Sequence, residues 1–292
     1  MVHLLSITLS WFGTLGGHAA DQVPRFETRV ELVKVSVLVQ GAEGPILGLR
    51  PTDFEVRDNG VLQVLDDAVF EELPLNVILA FDVSGSMNFE ASGSAKGNRM
   101  AALKRAAHAL VDDLRPGDQA ALLTFATMLF LRQALVPDFP ALHTRIDSLD
   151  GEGGTSLVDA TFAAIALGDV VPGRVLTIVF TDGQENMSWL RQADVLDAAK
   201  RSDVVVYGVR VGGGESSFLD NVASTTGGRR LQAESPDRLQ QAFLEILSEF
   251  RTRYLLRYTP RGIKREGWHR LEVRVKGQRA KVLARKGYLV TP

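Results

Sequence analysis

From Pro74 to Phe250 the chain alternates between apolar runs of strand length and segments with helical spacing. No other feature limits its possible folds as much. Leu75 to Phe81, Gln119 to Phe125, Val175 to Phe180 and Val204 to Val209 are four mostly apolar runs, the pattern of strands buried on both faces. Met100, Leu103, Ala107, Leu110, Val111 and Leu114 recur at helical spacing, and Pro116-Gly117 ends that helix. Phe139 to Leu149 reads as a short helix. Gly153-Gly154-Thr155 opens another, carried by Leu157, Ala160, Ala164 and Leu167, and Leu190 to Lys200 reads as a third. A helix near Ser217 to Val222 and a short strand near Arg229 to Leu231 follow. Ser235-Pro236 then starts a last helix with Leu239, Phe243, Ile246, Leu247 and Phe250 on its apolar face. Such alternation predicts a mainly parallel sheet with helices on both faces.

The flanks read differently. Arg29 to Val39 alternates with Val33, Val35, Val37 and Val39 on one face. Phe54 to Asp58 alternates again, Asn59-Gly60 supplies a two-residue hairpin turn, and Val61 to Leu65 returns. Beyond the last helix, Arg253 to Tyr258, Arg270 to Lys276, and Lys281 to Ala284 again read as strands. The expected organisation is a small β-sandwich built from residues 21–72 and 252–292, with an α/β domain of residues 73–251 inserted into it.

Composition narrows the function classes. The 292 residues carry a formal net charge of -2, so nothing favours nucleic acid or an anionic membrane surface. There is no cysteine, which excludes disulfides, thiolate metal sites and cysteine nucleophiles. At the amino terminus, Leu4 to Gly13 is an apolar stretch too short and too rich in Ser and Thr for a membrane span. It leads into Gly17-His18-Ala19-Ala20, small residues of the kind a signal peptidase accepts, although no positive charge precedes it. Residues 1–20 are therefore expected to be a secretory signal rather than a short buried segment, leaving an exported chain with no other membrane span.

The chemistry-bearing stretch is Asp82-Val83-Ser84-Gly85-Ser86, which follows the first central strand. A strand tip in an open α/β sheet is where ligands bind. One carboxylate and two alternate hydroxyls make an all-oxygen half-site for a hard divalent cation. A polar turn explains these five residues equally well when they are taken alone. Two further positions alter that balance. Thr155 stands in a Gly-rich loop at a helix start, and Asp182 follows the third strand, with Gly183 leaving room beside it. In a parallel sheet these loops emerge on one edge, so five oxygens can converge. Such a set suits Mg2+, and Mn2+ tolerates it too.

In order and spacing, these residues resemble the metal-ion-dependent adhesion site (MIDAS) of the von Willebrand factor A domain. The resemblance covers about residues 73–251, and no position departs from the motif. It implies a Rossmann-like sheet and one Mg2+ or Mn2+ held by Asp82, Ser84, Ser86, Thr155 and Asp182. It also implies a protein ligand whose Glu or Asp completes the coordination. The flanking motifs Phe54 to Gly60 and Val282 to Tyr288 resemble those of secreted bacterial proteins carrying such a domain. The long loop Asn88 to Asn98 is expected to reshape the rim of the site.

Other chemistry has less support. A phosphoryl-transfer enzyme using an aspartyl nucleophile needs a second carboxylate two residues after Asp82, where Ser84 stands. A serine hydrolase needs a histidine beside Ser84 or Ser86. His108 falls with Lys104, Arg105 and Asp112 on the polar face of its helix and is expected to be solvated; His143 and His269 have no motif around them. Gly151-Glu152-Gly153-Gly154 is not followed by Lys, so a phosphate loop is unsupported. Trp189 has two readings, a contact anchor on the rim or part of the core. The expected function is thus that of a secreted, non-enzymatic, metal-dependent binding module. The alternative is an envelope assembly component in which the metal only stiffens the loops.

Overall fold

The computed structural model describes residues 32–70, 73–88, 99–183, 185–212 and 217–290. The expected signal segment and nearly all of the loop Asn88 to Asn98 lie outside them. The first four strands are β1 (Val33–Gln40), β2 (Phe54–Asp58), β3 (Val61–Gln63) and β4 (Asp67–Val69). The α/β part follows with β5 (Leu75–Asp82), α1 (Arg99–Asp112), β6 (Gln119–Phe125), β7 (Leu129–Val136), α2 (Phe139–Asp147) and α3 (Leu157–Asp169). It continues through β8 (Arg174–Thr181), α4 (Gln192–Arg201), β9 (Val205–Val211), α5 (Ser217–Thr226), β10 (Arg230–Ala233) and α6 (Leu239–Arg251). The tail adds β11 (Tyr254–Tyr258), β12 (Gly267–Val275), β13 (Lys281–Leu283) and β14 (Gly287–Val290).

The central sheet has the order β10-β9-β8-β5-β6-β7 and is parallel except for β7 at its edge. The chain enters at β5, winds outward through β6 and β7, then crosses back to β8 and winds the other way. The direction reverses between β5 and β8, which makes their carboxyl ends the switch-point crevice of a doubly wound sheet. Both faces are covered. Leu103, Leu110, Leu142, Ile146, Phe243 and Leu247 pack from α1, α2 and α6 onto one face. Leu157, Ala164, Val195, Ala199, Leu219 and Val222 pack from α3, α4 and α5 onto the other. The buried pattern of β5, β8 and β9 follows from this double cover.

The sequence pattern does not announce β7. Its Phe130 and Leu131 are both about half exposed, and its ladder with β6 carries register shifts around Leu122. An edge strand with a bulge and apolar residues on its open face shows no steady alternation. The last helix also differs in its start. Pro236 to Arg238 form a 3-10 turn, and regular helix begins at Leu239.

Strands from both ends of the chain build the sandwich, in two four-stranded sheets ordered β13-β1-β11-β4 and β14-β12-β2-β3. Val35, Val37, Phe54, Val56, Tyr254, Leu256 and Leu271 fill the space between them. Asn59 and Gly60 join β2 to β3 with φ of 48° and 83°, the left-handed pair of a tight hairpin turn. A buried polar knot crosses the two sheets. Asp58 accepts the hydroxyls of Tyr258 and Tyr288, each at 2.7 Å, and its other oxygen lies 3.0 Å from Nδ1 of His269. Burial and the neighbouring carboxylate hold both tyrosine hydroxyls well above their ordinary range, so they stay protonated donors.

The sandwich and the sheet are tied together by buried charge. Arg253, just past α6, donates to Ser36 O, to Tyr207 Oη and to Gly227 O. Glu249 on α6 accepts from Gln40, Tyr207 and Arg229. Arg285 bonds Asp203 and Lys200 O.

Candidate metal site at the strand tips

Register places the site. β5 aligns Phe81 with Phe180 of β8, so Asp82 stands beside Thr181 and one residue short of Asp182. Asp82 is wholly buried. Its Oδ1 accepts the Ser84 N–H at 2.8 Å, and its Oδ2 accepts the Thr181 hydroxyl at 2.5 Å. Burial pushes the Asp82 carboxyl up to about 6, against the pull of its hydrogen bonds from Ser84 and Thr181; the Asp182 charge adds to the rise.

Asp182 lies directly after β8 with its side chain fully enclosed. Ser86 donates its hydroxyl to Oδ1 at 2.7 Å, and Arg99 places Nη1 2.5 Å from Oδ2. Ser84 Oγ and Ser86 Oγ are 3.0 Å apart. Gly183 closes the group. A Cβ there would lie 3.1 Å from Thr155 Oγ1, 3.6 Å from Ser86 Oγ and 3.7 Å from Asp82 Oδ2. The missing side chain thus leaves a cradle ringed by oxygens from the end of β5 and the loop before α3. The structure brings together all five residues singled out in the sequence.

This donor set fits a hard divalent cation. It offers two carboxylates and three hydroxyls, with no nitrogen or sulfur donor among the five. Of the two enclosed carboxylates only Asp182 is paired with a guanidinium, that of Arg99, which leaves negative charge for a cation to offset. Asp82, Ser84, Ser86, Thr155 and Asp182 are the residues that would hold it.

Thr155 is held by a neighbourhood that the motif does not include. Gly153 has φ of 74°, and a Cβ on it would lie 2.5 Å from Thr127 Oγ1, which itself accepts the Gly154 N–H at 2.9 Å. Only glycine takes both that backbone and that contact. The loop after Asp182 is stitched to the same helix start. Asn186 Oδ1 accepts the Thr155 N–H at 2.8 Å, and Glu185 accepts the Val158 N–H at 2.9 Å. Burial would raise the Glu185 carboxyl, but hydrogen bonds from the Ser188 hydroxyl and the amides of Ser188, Val158 and Met187 outweigh it and hold it below the usual range. Asp159 receives the amides of Trp189 and Leu190.

Sequence reasoning missed Arg99, Glu185 and Asp159. Arg99 sits far from the motif, across the loop, and its only sequence signal is a cation at a helix start, where the dipole disfavours one. Trp189 is 94% exposed, which rules out the core reading. His108 is only partly solvated: its ring is also bonded to His143 and Asp147, away from the strand tips.

Fold and site define a doubly wound α/β module with an oxygen-lined crevice at its switch point. The chain belongs to the von Willebrand factor type A domain family, whose model matches residues 76–245. Among solved structures, it is similar to proximal thread matrix protein 1 from the mussel byssus, with 22% identity and a TM-score of 0.54 over 64% of this chain and 49% of that one. It thus spans about half the length of that mussel protein. A crystal of the same mussel protein with a zinc-occupied MIDAS motif matches with 21% identity and a TM-score of 0.53, over 64% of this chain and 48% of that one. A von Willebrand factor type A structure from Catenulispora acidiphila matches with 13% identity and a TM-score of 0.55, over 89% of this chain and 75% of that one. At these identities the likeness is one of fold. Comparison with curated protein sequences finds no match.

Proposed function

We propose that this chain is an exported, non-enzymatic binding module that grips a protein partner through a divalent cation, Mg2+ in the first place. The observation that carries the reading is the cradle over Gly183, ringed by Thr155, Ser86 and Asp82 with Asp182 and Ser84 one hydrogen bond behind. A cation held there keeps an open position that an outside carboxylate can take. Asp82 and Asp182 supply the charge, and the three hydroxyls supply neutral oxygens. Because Arg99 already pairs with Asp182, the two carboxylates do not cancel the whole charge of a divalent ion, and net positive charge is left for an acidic residue of the partner.

The rim suits a protein surface. Met128, Met187, Trp189 and Leu190 are exposed on the loops after β6 and β8. Trp and Met are enriched in protein interfaces, and a surround that excludes water strengthens a central charged contact. The mussel protein crystallised with a zinc-occupied MIDAS motif supports the choice of a divalent ion. Among the described residues no helix is long and apolar enough to cross a membrane.

The test is capture of a partner from native envelope material by the full chain, with and without EDTA, beside Asp82→Ala. Capture lost in both, with the circular dichroism spectrum unchanged, supports the reading. Full capture in EDTA overturns it. Capture that survives in Asp82→Ala while stability falls favours an architectural component with a structural metal.

A further inference from the structure

Away from the strand tips, α1 and α2 bring two His–Asp pairs together. His108 and Asp112 are four residues apart on α1, and His143 and Asp147 are four apart on α2. Each helix therefore shows one imidazole and one carboxylate on the same face. The pairing is crossed between the helices. His108 Nε2 lies 2.8 Å from Oδ1 of Asp147, and His143 Nε2 lies 3.2 Å from Oδ1 of Asp112. The two Nδ1 atoms face each other at 2.6 Å. With ring centres 4.9 Å apart and planes within 17°, the imidazoles meet edge to edge with those nitrogens between them.

Proton positions make this arrangement informative. An ionised carboxylate only accepts hydrogen bonds, so each Nε2 that faces one carries its ring's N–H. A neutral imidazole has a single N–H. Both Nδ1 atoms are then bare acceptors aimed at one another, and two lone pairs at 2.6 Å repel. The group is complete only with a cation between them, either a proton or a metal ion. A histidine that gives its outer N–H to a carboxylate and turns its other nitrogen inward has the form of a metal ligand. The neighbouring ammonium of Lys104 is engaged with the carbonyl of Asp147 at 2.7 Å, leaving the two carboxylates facing the rings.

We infer that α1 and α2 carry a second cation site, for a borderline transition-metal ion such as Zn2+ or Cu2+. Nδ1 of His108 and Nδ1 of His143 are its ligands, and Asp112 and Asp147 orient the rings. Neutral imidazole suits these ions and not Mg2+, so the site is chemically separate from the all-oxygen crevice. Tetrahedral coordination at about 2.0–2.1 Å needs the two nitrogens about 3.3 Å apart, a widening of under about 1 Å. The side chains of His108 and His143 are 28% and 30% exposed, so both rings have room to swing and water can reach the ion. Among the described residues no three His, Cys, Asp or Glu side chains are placed as they stand to hold a metal. The pair thus supplies two nitrogens and leaves the other positions to water or to a swung carboxylate.

The experiment is a Cu2+ titration of the untagged full chain carrying His3→Ala, so that Met1-Val2-His3 cannot chelate copper, in excess Mg2+, read by electron paramagnetic resonance, with Zn2+ as competitor. The expected result is one copper with nitrogen coupling from two imidazoles, displaced by Zn2+ and kept in Asp82→Ala. The signal should vanish in His108→Ala and in His143→Ala, each with an unchanged metal-free circular dichroism spectrum. His108→Gln provides a second variant if His108→Ala folds poorly. Asp112→Asn with Asp147→Asn should weaken binding about 10–100-fold. Absence of nitrogen coupling in the wild type would mean a proton-only pair and overturn the site, as would coupling that persists in the His108→Ala/His143→Ala double variant. No residue is shared with the strand tips, so the two proposals stand or fall separately.

Discussion

Arg99 spans the gap between α1 and the strand tips to put Nη1 2.5 Å from Oδ2 of Asp182. A fixed cation thus already occupies one side of a carboxylate offered to a metal. Like charges at this range oppose each other, and the enclosure of Asp182 limits solvent screening. Arg99→Gln should tighten Mg2+ binding about tenfold, a change of about 1.4 kcal/mol. Calorimetric titration with Mg2+ checks it. Weaker binding in the variant would mean that Arg99 chiefly positions Asp182.

Asp82 makes stability depend on pH in a particular direction. Its folded carboxyl is raised from 3.8 to about 6 by burial, so the folded chain holds this proton after the unfolded chain has lost it. Below pH 3.8 both states are protonated and no penalty for burying a charge arises. Between 3.8 and about 6 this contribution falls as pH rises, and above 6 the full penalty stands, about 3 kcal/mol. Metal-free Asp82→Asn should therefore be more stable than wild type at pH 7, by about 1–3 kcal/mol, and no more stable near pH 4. Urea unfolding in EDTA at both pH values measures this, and equal stabilities at pH 7 would contradict it.

Gly183 should be needed for the metal and not for the fold. Its φ is not left-handed, so alanine is permitted by the backbone, but the new Cβ would sit 3.1 Å from Thr155 Oγ1 inside the cradle. Gly183→Ala should lower Mg2+ affinity by about tenfold or more while the metal-free melting temperature moves by only a few degrees. Calorimetry and thermal melts on the same sample separate the two effects.

Trp189 makes the opposite test. At 94% exposure it contributes little to stability, so Trp189→Ala should unfold within about 0.5 kcal/mol of wild type and bind Mg2+ unchanged. Capture of a protein partner should weaken about tenfold or more. Unaltered capture would remove Trp189 from the rim.

Much of the fold could be read in advance, because β5, β8 and β9 are buried on both faces and their apolar runs are unbroken. The strand-tip residues were legible for a related reason. A strand ending on a carboxylate inside a parallel sheet can only open onto one edge. β7 stayed hidden because an edge strand with a bulge shows no periodicity, and β4 because its three half-buried residues are too few to show one. Arg99, Glu185 and His108 stayed hidden because their partners are set by tertiary packing. No local pattern links Arg99 to Asp182, and the α1–α2 crossing that joins His108 to His143 is invisible along either helix alone.

The two connections between the α/β part and the sandwich run side by side. β4, which leads into β5, and β11, which leaves α6, are antiparallel neighbours with Leu255 opposite Val69 and Arg257 opposite Asp67. The guanidinium of Arg257 forks onto both oxygens of Asp67. Asp82 lies at the far end of β5 from this junction. Tension applied by a gripped partner would therefore run lengthwise down β5, against ladders on both sides that must shear together. It would then reach β4 and β11 in the same direction, so neither is peeled from the other. On the proposed reading the molecule would act as a hook on a doubled tether, with load handed on to β1, the neighbour of β11 in the sandwich.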